Sequence, residues 1–249
     1  MVKTESNRRM ESCRCYCPVT HVIFDCDGTL LDTEHLYIKI IKETLAPYGI
    51  NYTQEDQARY MARTARVMAD THIKEFNLPI TAEQYLTAFK KADYKYMKDV
   101  KLLPGVRDLI FHLHEHRIPL AIATSSNSEI IQVKFQSHAD IKSAFHHIVC
   151  GNDPELKTDR GKPEADIYLL AASRFHPPAD PRKCLVFEDS PTGLKAGRAA
   201  GMQVVFIPES ETSRARGEDP TMVLGSMTEF QPELFGLPAF PNCSKFEFG

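Results

Sequence analysis

Two acidic pairs follow short apolar runs in this 249-residue chain. Asp25 and Asp27 are separated by one residue, and Gly28 then permits a sharp turn. Glu188 and Asp189 close a second apolar run. Each pair alone is typical of a turn or a helix cap, but neighbouring parallel strands would bring both pairs to one edge of a sheet. Three or four carboxylates in one place predict a site for Mg²⁺, which prefers hard oxygen ligands.

Hydroxyl groups and one lysine stand in similar positions, beside predicted strands or helices. Thr124 and Ser125 follow an apolar run and precede a helical pattern, where hydroxyls and backbone N–H groups suit phosphate oxygens. Lys162 lies between Gly161 and Pro163 before another helix, and its compact charge suits a phosphoryl group or a nucleophile. Gly-Lys-Pro alone is more typical of a turn. Together with the carboxylates, these residues predict phosphate chemistry.

A sheet must position these residues. Helical patterns alternate with short apolar runs, which predicts an α/β fold with a Rossmann-like parallel sheet. In such folds, ligands bind beyond the carboxyl ends of the strands. The five predicted strands are residues 19–24, 118–123, 145–149, 183–187 and 203–207.

One interval breaks the alternation, because residues 35–100 show only helical patterns. We therefore expect a helical cap inserted after the first strand, at the edge where the site lies, and able to act as a lid. The predicted core comprises residues 18–34 and 101–240. Residues 1–17 are expected to form a flexible N-terminal extension and residues 241–249 a C-terminal tail.

Composition narrows the class of partner. The chain has 30 basic and 33 acidic residues, so its charge gives no general attraction to nucleic acid or to an anionic membrane. Seven cysteines spread along the chain indicate reduced thiols, and the N-terminus has no secretory pattern, so we expect a cytoplasmic protein. The predicted partner is a small phosphorylated metabolite, with no nucleic acid and no membrane; the oligomeric state is open, with a monomer as the simplest case.

One cysteine pattern and one histidine pattern have simpler interpretations than metal binding. The spacing of Cys13, Cys15 and Cys17 is not that of a usual zinc site, which favours exposed thiols in the N-terminal extension. Alternating histidines at 112, 114 and 116 fall in a predicted helix, and we expect them on a solvated surface.

The four motifs, in this order and with a helical insert after the first, resemble the haloacid dehalogenase superfamily of phosphohydrolases over about residues 18–240. The resemblance implies that Asp25 is the nucleophile and forms an aspartyl phosphate. It implies that Asp27 protonates the leaving alcohol and then activates water. Thr124 and Ser125 would hold phosphate oxygens.

The same resemblance implies a catalytic role for Lys162 in balancing charge, and a Mg²⁺ site. The implied metal ligands are Asp25, the backbone carbonyl of Asp27, and Asp189, with Glu188 assisting directly or through a water. Asp166 would orient Lys162.

Several further stretches resemble the eukaryotic pseudouridine-5′-phosphatase branch of this superfamily, which implies pseudouridine 5′-monophosphate as substrate. In the cap, the loop has Ala62 where relatives tend to have glycine, and Arg63 follows as an expected contact to substrate or phosphate. The stretches that carry the resemblance are residues 18–21, 151–155, 183–189 and 230–238.

Other functions remain open at this point. A phosphatase of glycerol phosphate or a sugar phosphate would need the same core motifs. A mutase of the β-phosphoglucomutase type typically has a histidine at the position of Tyr37 and, in some members, a small apolar residue at that of Thr29, so both residues favour a phosphatase. A catalytically idle binding protein is also conceivable, although every motif position is intact.

Overall fold

The structure is a computed structural model that describes residues 16–56, 65–156, 161–208 and 219–241. Ala62 and Arg63 of the predicted cap loop lie outside these ranges, as do Cys13 and Cys15. None of the helices within them combines the length and the apolar character that a membrane crossing requires.

One sheet of parallel strands forms the centre of the described part of the chain. The strands are β1 (His21–Phe24), β2 (Leu120–Thr124), β3 (His147–Cys150), β4 (Cys184–Glu188), β5 (Gln203–Phe206) and β6 (Met222–Val223). Their order across the sheet is β3-β2-β1-β4-β5-β6. Every residue of β2 and β4 is buried, as expected of a sheet covered on both faces. The predicted Rossmann-like α/β fold is confirmed.

All five predicted strands overlap observed ones, and β6 was not predicted. This strand has two residues, which is too short for any apolar period to appear in the sequence. It pairs with β5 through Val205 and Met222 and extends the sheet at its edge.

Helices connect the strands. In the described ranges these helices are α1 (Glu34–Leu45), α2 (Ala65–Glu75), α3 (Ala82–Met97), α4 (Val106–Glu115), α5 (Ser128–Lys134), α6 (Ala139–Ser143), α7 (Asp166–Ser173) and α8 (Pro191–Ala199). Short 3₁₀ helices occupy Ala46–Tyr48, Gln136–His138, Pro181–Lys183, Met227–Glu229 and Pro232–Phe235.

Helices α1, α2 and α3 lie between β1 and β2 along the chain, and we call them the insert. A capping box fixes the start of α3, because Thr81 Oγ1 accepts from Gln84 N at 3.2 Å and Gln84 Oε1 accepts from Thr81 N at 2.8 Å. Lys95 of α3 pairs with Glu43 of α1 at 2.7 Å. The division into a core domain and a cap domain stays a prediction.

The expectation of a solvated histidine surface was wrong for His112. This side chain is buried, and its Nε2 lies 2.8 Å from the carbonyl oxygen of Pro238. The C-terminal segment covers this face of α4, since the Phe240 ring packs 4.4 Å from His112. The sequence pattern did not reveal this cover, because the covering residues are about 125 positions away along the chain.

Candidate active site

Two adjacent strands bring the acidic pairs together. β1 and β4 pair in parallel with Phe24 beside Phe187, so the residues that follow both strands leave the sheet at the same edge. The backbone N–H of Asp25 donates to the carbonyl of Phe187 at 3.0 Å. Carboxylate oxygens of Asp25, Glu188 and Asp189 lie within 4.8 Å of one another. Three acidic side chains therefore share one small, largely buried volume.

The turn after β1 depends on glycine. Gly28 has a φ of +77°, and an added Cβ would lie 2.2 Å from Asp189 Oδ2, so no side chain fits here without displacing that carboxylate. The next residue, Thr29, donates its hydroxyl to Asp189 Oδ1 at 3.0 Å. The turn of the first motif thus packs directly on the acidic residue of the last.

Lys162 joins two of the three carboxylates. Its Nζ donates to Asp25 Oδ1 and, at 2.6 Å, to Glu188 Oε1, and its side chain is 5% exposed. Tyr168 of α7 donates its hydroxyl to the same Glu188 oxygen at 2.6 Å. The sequence did not predict Tyr168, because an aromatic residue on the apolar face of a helix is typical of a core position.

Glu188 is the most fully hydrogen-bonded of the carboxylates. Oε1 accepts from Lys162 and Tyr168. Oε2 accepts from the backbone N–H groups of Asp189 and Ser190, both at 3.1 Å, and from the Ser190 hydroxyl at 3.0 Å. These donors fix Glu188 as an anchor for Lys162 and for the turn after β4, although its oxygens also lie near those of Asp25 and Asp189.

Asp27 belongs to a second charged pair. Lys134, the last residue of α5, donates from Nζ to Asp27 Oδ1 at 2.5 Å, and the Ser126 hydroxyl donates to Asp27 Oδ2 at 2.8 Å. Lys134 has no exposed surface. Lys134 was not predicted from the sequence; the available signal was a lysine on the apolar stripe of a helix, four residues after buried Ile130.

The predicted phosphate-binding residues follow β2. Thr124 ends the strand and is buried, while Ser125 is exposed. The backbone around them is held by Gly151, whose N–H donates to the Ser126 carbonyl at 2.9 Å. An added Cβ at Gly151 would lie 2.3 Å from the carbonyl oxygen of Ser125. The loops after β2 and β3 therefore pack backbone to backbone beside the carboxylates.

Burial controls the protonation of the clustered carboxylates. Burial raises the pKa of Asp25 to about 7, with Lys162 opposing the shift and Glu188 and Asp27 adding to it. Burial, together with the charges of Asp25 and Glu188, holds the pKa of Asp189 well above its ordinary value.

The pKa of Asp27 is shifted in the opposite direction, below its ordinary value. Burial alone would raise it, but the charge of Lys134 and hydrogen bonds from Lys134 and Ser126 outweigh burial, so the pKa is lowered. Two carboxylates only two positions apart therefore have pKa values that are shifted in opposite directions.

The carboxylate cluster fits a hard divalent cation. Asp25, Glu188 and Asp189 supply only oxygen atoms, the donor type that such cations prefer. Burial, and after it the charges of neighbouring carboxylates, raise the pKa of Asp25 and Asp189, and a bound cation would offset the repulsion between these groups.

Those predicted site residues that the structure describes fall into three groups. The structure brings Asp25, Lys162, Glu188 and Asp189 into one cluster and Asp27 into the neighbouring one. Thr124 and Ser125 lie in the adjacent loop. Arg63 lies outside the described residues.

Comparison with known proteins identifies the family. Residues 22–207 match the model of the haloacid dehalogenase-like hydrolase family. The chain is 40% identical over 224 residues to the "Probable pseudouridine-5′-phosphatase" of Drosophila melanogaster, covering 90% of this chain and 96% of that protein. It is 38% identical to "(DL)-glycerol-3-phosphatase 1, mitochondrial" of Arabidopsis thaliana, covering 90% and 76%.

A solved structure shows the same fold. CbbY from Rhodobacter sphaeroides, crystallised in complex with phosphate, superposes with a TM-score of 0.73 at 24% identity, covering 85% of this chain and 96% of that one. The match of the family model and the identity to phosphatases span most of the chain. The chain therefore belongs to the haloacid dehalogenase-like hydrolase family and is a phosphoric monoester hydrolase within it.

Proposed function

We propose that this hydrolase removes the phosphate from pseudouridine 5′-monophosphate, with Mg²⁺ as its metal and an aspartyl phosphate as its intermediate. The observation that carries the chemistry is the buried cluster of Asp25, Lys162, Glu188 and Asp189 at one edge of the sheet. The choice of substrate is supported by the 40% identity to the Drosophila protein.

Asp25 is the nucleophile. One of its oxygens attacks phosphorus, an acyl phosphate bond forms, and the bond between phosphorus and the ester oxygen of the nucleoside breaks. Lys162 hydrogen-bonds Asp25 Oδ1 and orients the carboxylate for this attack. Glu188 keeps Lys162 in place by accepting a hydrogen bond from its ammonium group. Tyr168 in turn holds Glu188, because its hydroxyl donates to the same oxygen.

Asp27 moves the protons. In the first half of the reaction it donates a proton to the departing 5′-oxygen, and in the second it takes a proton from the water that attacks phosphorus. Hydrolysis releases inorganic phosphate and restores the Asp25 carboxylate. The negative charge of a bound phosphate ester raises the pKa of a nearby carboxyl, which favours the acid form of Asp27 when substrate is present.

Mg²⁺ would be held by Asp25, Asp189 and the backbone carbonyl of Asp27. When bound, it supplies positive charge beside the phosphoryl group and lowers the repulsion between substrate and carboxylates. Glu188 assists from nearby, with its oxygens already accepting five hydrogen bonds.

Thr124 and Ser125 bind the phosphate oxygens, because their loop contacts Asp27 through the Ser126 hydroxyl and carries hydroxyl and N–H donors. Arg63, which precedes α2 along the chain, is proposed as a contact to the substrate. Reaction takes place in the cytoplasm on a small soluble metabolite. Support for a reducing compartment comes from the described cysteines, all of which are free, with Cys26, Cys150 and Cys184 buried.

A second substrate class is favoured by a specific observation. The chain is 38% and 37% identical to two glycerol-3-phosphatases of Arabidopsis thaliana, and the core machinery serves any alkyl phosphate. A mutase is less well supported, since Tyr37 stands where a hinge histidine would and hydrogen-bonds Lys134 at 3.2 Å.

A substrate panel tests the proposal. We would measure kcat/KM for phosphate release from pseudouridine 5′-monophosphate, uridine 5′-monophosphate, glycerol phosphate and glucose 6-phosphate, each with Mg²⁺. The proposal predicts a kcat/KM at least about tenfold higher for the first, equivalent to about 1.4 kcal/mol. Preference for glycerol phosphate would move the assignment to the second class, and absence of turnover with all four would contradict a phosphatase.

A further inference from the structure

Lys134 is an unusual residue for the place it occupies. It ends the seven-residue helix α5 and its side chain is completely buried. A lysine is almost never fully buried unless its charge is paired. Its Nζ lies 2.5 Å from Asp27 Oδ1, 2.9 Å from Ser126 Oγ and 3.2 Å from Tyr37 Oη. All three protons of the ammonium group are therefore directed at oxygen atoms.

These contacts close a ring around one carboxylate. Lys134 donates to Asp27 Oδ1 and to Ser126 Oγ, while Ser126 donates to Asp27 Oδ2. Both oxygens of Asp27 are thus held, which fixes the rotation of the carboxylate about its last bond. Ser126 is itself fixed, because its carbonyl accepts from Gly151 N at 2.9 Å.

The third partner of Lys134 comes from the insert. Tyr37 lies in α1, and its ring faces the Lys134 ammonium at 5.6 Å from the centroid. The group that holds Asp27 therefore contacts the core through Ser126 and the insert through Tyr37.

We propose that Lys134 is a positioning residue for Asp27, holding its carboxylate, together with Ser126 and Tyr37, in the orientation needed for proton transfer. This inference rests on the proposed role of Asp27 but not on the identity of the substrate. A purely structural ion pair explains the arrangement less well. Burying a paired charge seldom stabilises a fold more than an apolar residue would, and here the partner of buried Lys134 is the proposed acid and base, whose side chain is 22% exposed.

The experiment is a double-mutant cycle with two leaving groups. Wild type, Lys134→Met, Asp27→Asn and the double variant are assayed with Mg²⁺ in single turnover, with enzyme in excess, on pseudouridine 5′-monophosphate and on p-nitrophenyl phosphate. Glycerol phosphate serves as a second alkyl ester. Lys142→Met is the matched control, because Lys142 is only half-buried and its Nζ donates to the Gln132 side chain at 2.6 Å instead of to a carboxylate of the site.

We expect Lys134→Met to slow cleavage of the alkyl ester by about a hundredfold, and cleavage of the aryl ester by less than about threefold, since nitrophenolate leaves without a proton. In the Asp27→Asn background, the added Lys134→Met change should alter the alkyl rate by less than about threefold. Lys142→Met should match wild type with both esters.

Two results would overturn the proposal: an equal loss with both esters, or an undiminished loss when Asp27 is already asparagine. If Lys134→Met does not fold, Ser126→Ala replaces it, with an expected loss of about tenfold confined to the alkyl esters; a loss shared by both esters, or none, overturns the proposal. Failure of the proposed function looks different, because the wild type itself would then release no phosphate.

Discussion

Asp25 and Asp27 lie two positions apart yet have opposite electrostatic surroundings. Burial raises the pKa of Asp25 to about 7, whereas Lys134 and Ser126 overcome burial and lower that of Asp27. Different pKa values for neighbouring carboxyl groups are typical of sites where the two groups do different work. We infer that Asp27 is ionised in the free enzyme and takes up the proton that it donates when the charge of the substrate raises its pKa, and that a cation beside Asp25 favours the ionised form of that residue.

The role of Asp27 leads to a prediction about leaving groups. Asp27→Asn cannot donate a proton, so single-turnover cleavage of pseudouridine 5′-monophosphate should fall by about 10²–10³-fold. Cleavage of p-nitrophenyl phosphate should change by less than about fivefold, because its leaving group is a stable anion. A rapid-quench assay of both substrates measures this. Equal losses would show that Asp27 does not act as the acid.

At the scale of elements, the turn between β4 and α8 fixes the position of Glu188. Gly193 of α8 packs so closely that an added Cβ would lie 1.7 Å from Glu188 Oε1. The same oxygen holds Lys162 and Tyr168. The packing of one helix on a strand end therefore sets where the lysine of the site lies.

Gly193→Ala tests this packing. Alanine in a helix usually favours folding by up to about 1 kcal/mol, but the clash should outweigh that gain and lower the free energy of unfolding by about 1–3 kcal/mol. Turnover should fall as Glu188 is displaced. Gly161→Ala is the control, since no atom of the described residues would lie within 4 Å of its Cβ. Urea unfolding showing no difference between the variants would contradict the packing argument.

An ion pair between α7 and the loop after β3 holds that loop in place. Arg174, at the end of α7, donates to both oxygens of Asp153 at 2.6 and 2.8 Å, and the Asp153 side chain is 10% exposed. Lysine cannot form this paired contact, so Arg174→Lys should lower the free energy of unfolding by about 1 kcal/mol.

Arg182→Lys is the matched control for that change. Arg182 also pairs with an aspartate, Asp180, but its side chain is 83% exposed, where ion pairs contribute little. We expect the thermal midpoint of Arg182→Lys to stay within about 1 °C of the wild-type value, whereas that of Arg174→Lys should fall by more. Midpoints that fall equally in the two variants would show that burial of the pair at Asp153 does not matter.

The sequence predicted the parts of the site that depend on strand ends. Asp25 and Glu188 stand at the ends of short apolar runs, and parallel pairing brings such ends together, so their proximity could be predicted. Lys134 and Tyr168 could not, because each is one polar group on an otherwise apolar helix and its partner is far away in the chain. Likewise, the cover over His112 and the two-residue strand β6 leave no periodic signal.

At the scale of the whole molecule, the buried carboxylates link folding to pH and to metal. The pKa of Asp25 is about 7 in the folded protein and ordinarily 3.8, so the folded state retains a proton that the unfolded chain releases. The contribution of Asp25 to the free energy of unfolding is therefore greatest below a pH of about 4, and it declines as the pH rises towards about 7. A bound divalent cation would reverse this loss, because it replaces the proton.

Thermal unfolding with and without Mg²⁺ checks this linkage. At a Mg²⁺ concentration about 100 times its dissociation constant, the free energy of unfolding should rise by about 2.7 kcal/mol. This rise corresponds to an increase of roughly 5–10 °C in the thermal midpoint. The increase should be larger at pH 8 than at pH 5, where Asp25 is protonated, and it should shrink in Asp189→Asn. A Mg²⁺ effect that is independent of pH would contradict the proposed ligands.

The most direct test of the central claim is phosphate release by the wild type and by Asp25→Asn, with Mg²⁺ and with the metal removed by chelation. We predict turnover of pseudouridine 5′-monophosphate by the wild type only when Mg²⁺ is present. In Asp25→Asn, turnover should fall by at least about a thousandfold while circular dichroism shows the same fold. Wild-type turnover by Asp25→Asn would contradict the assignment of Asp25 as nucleophile.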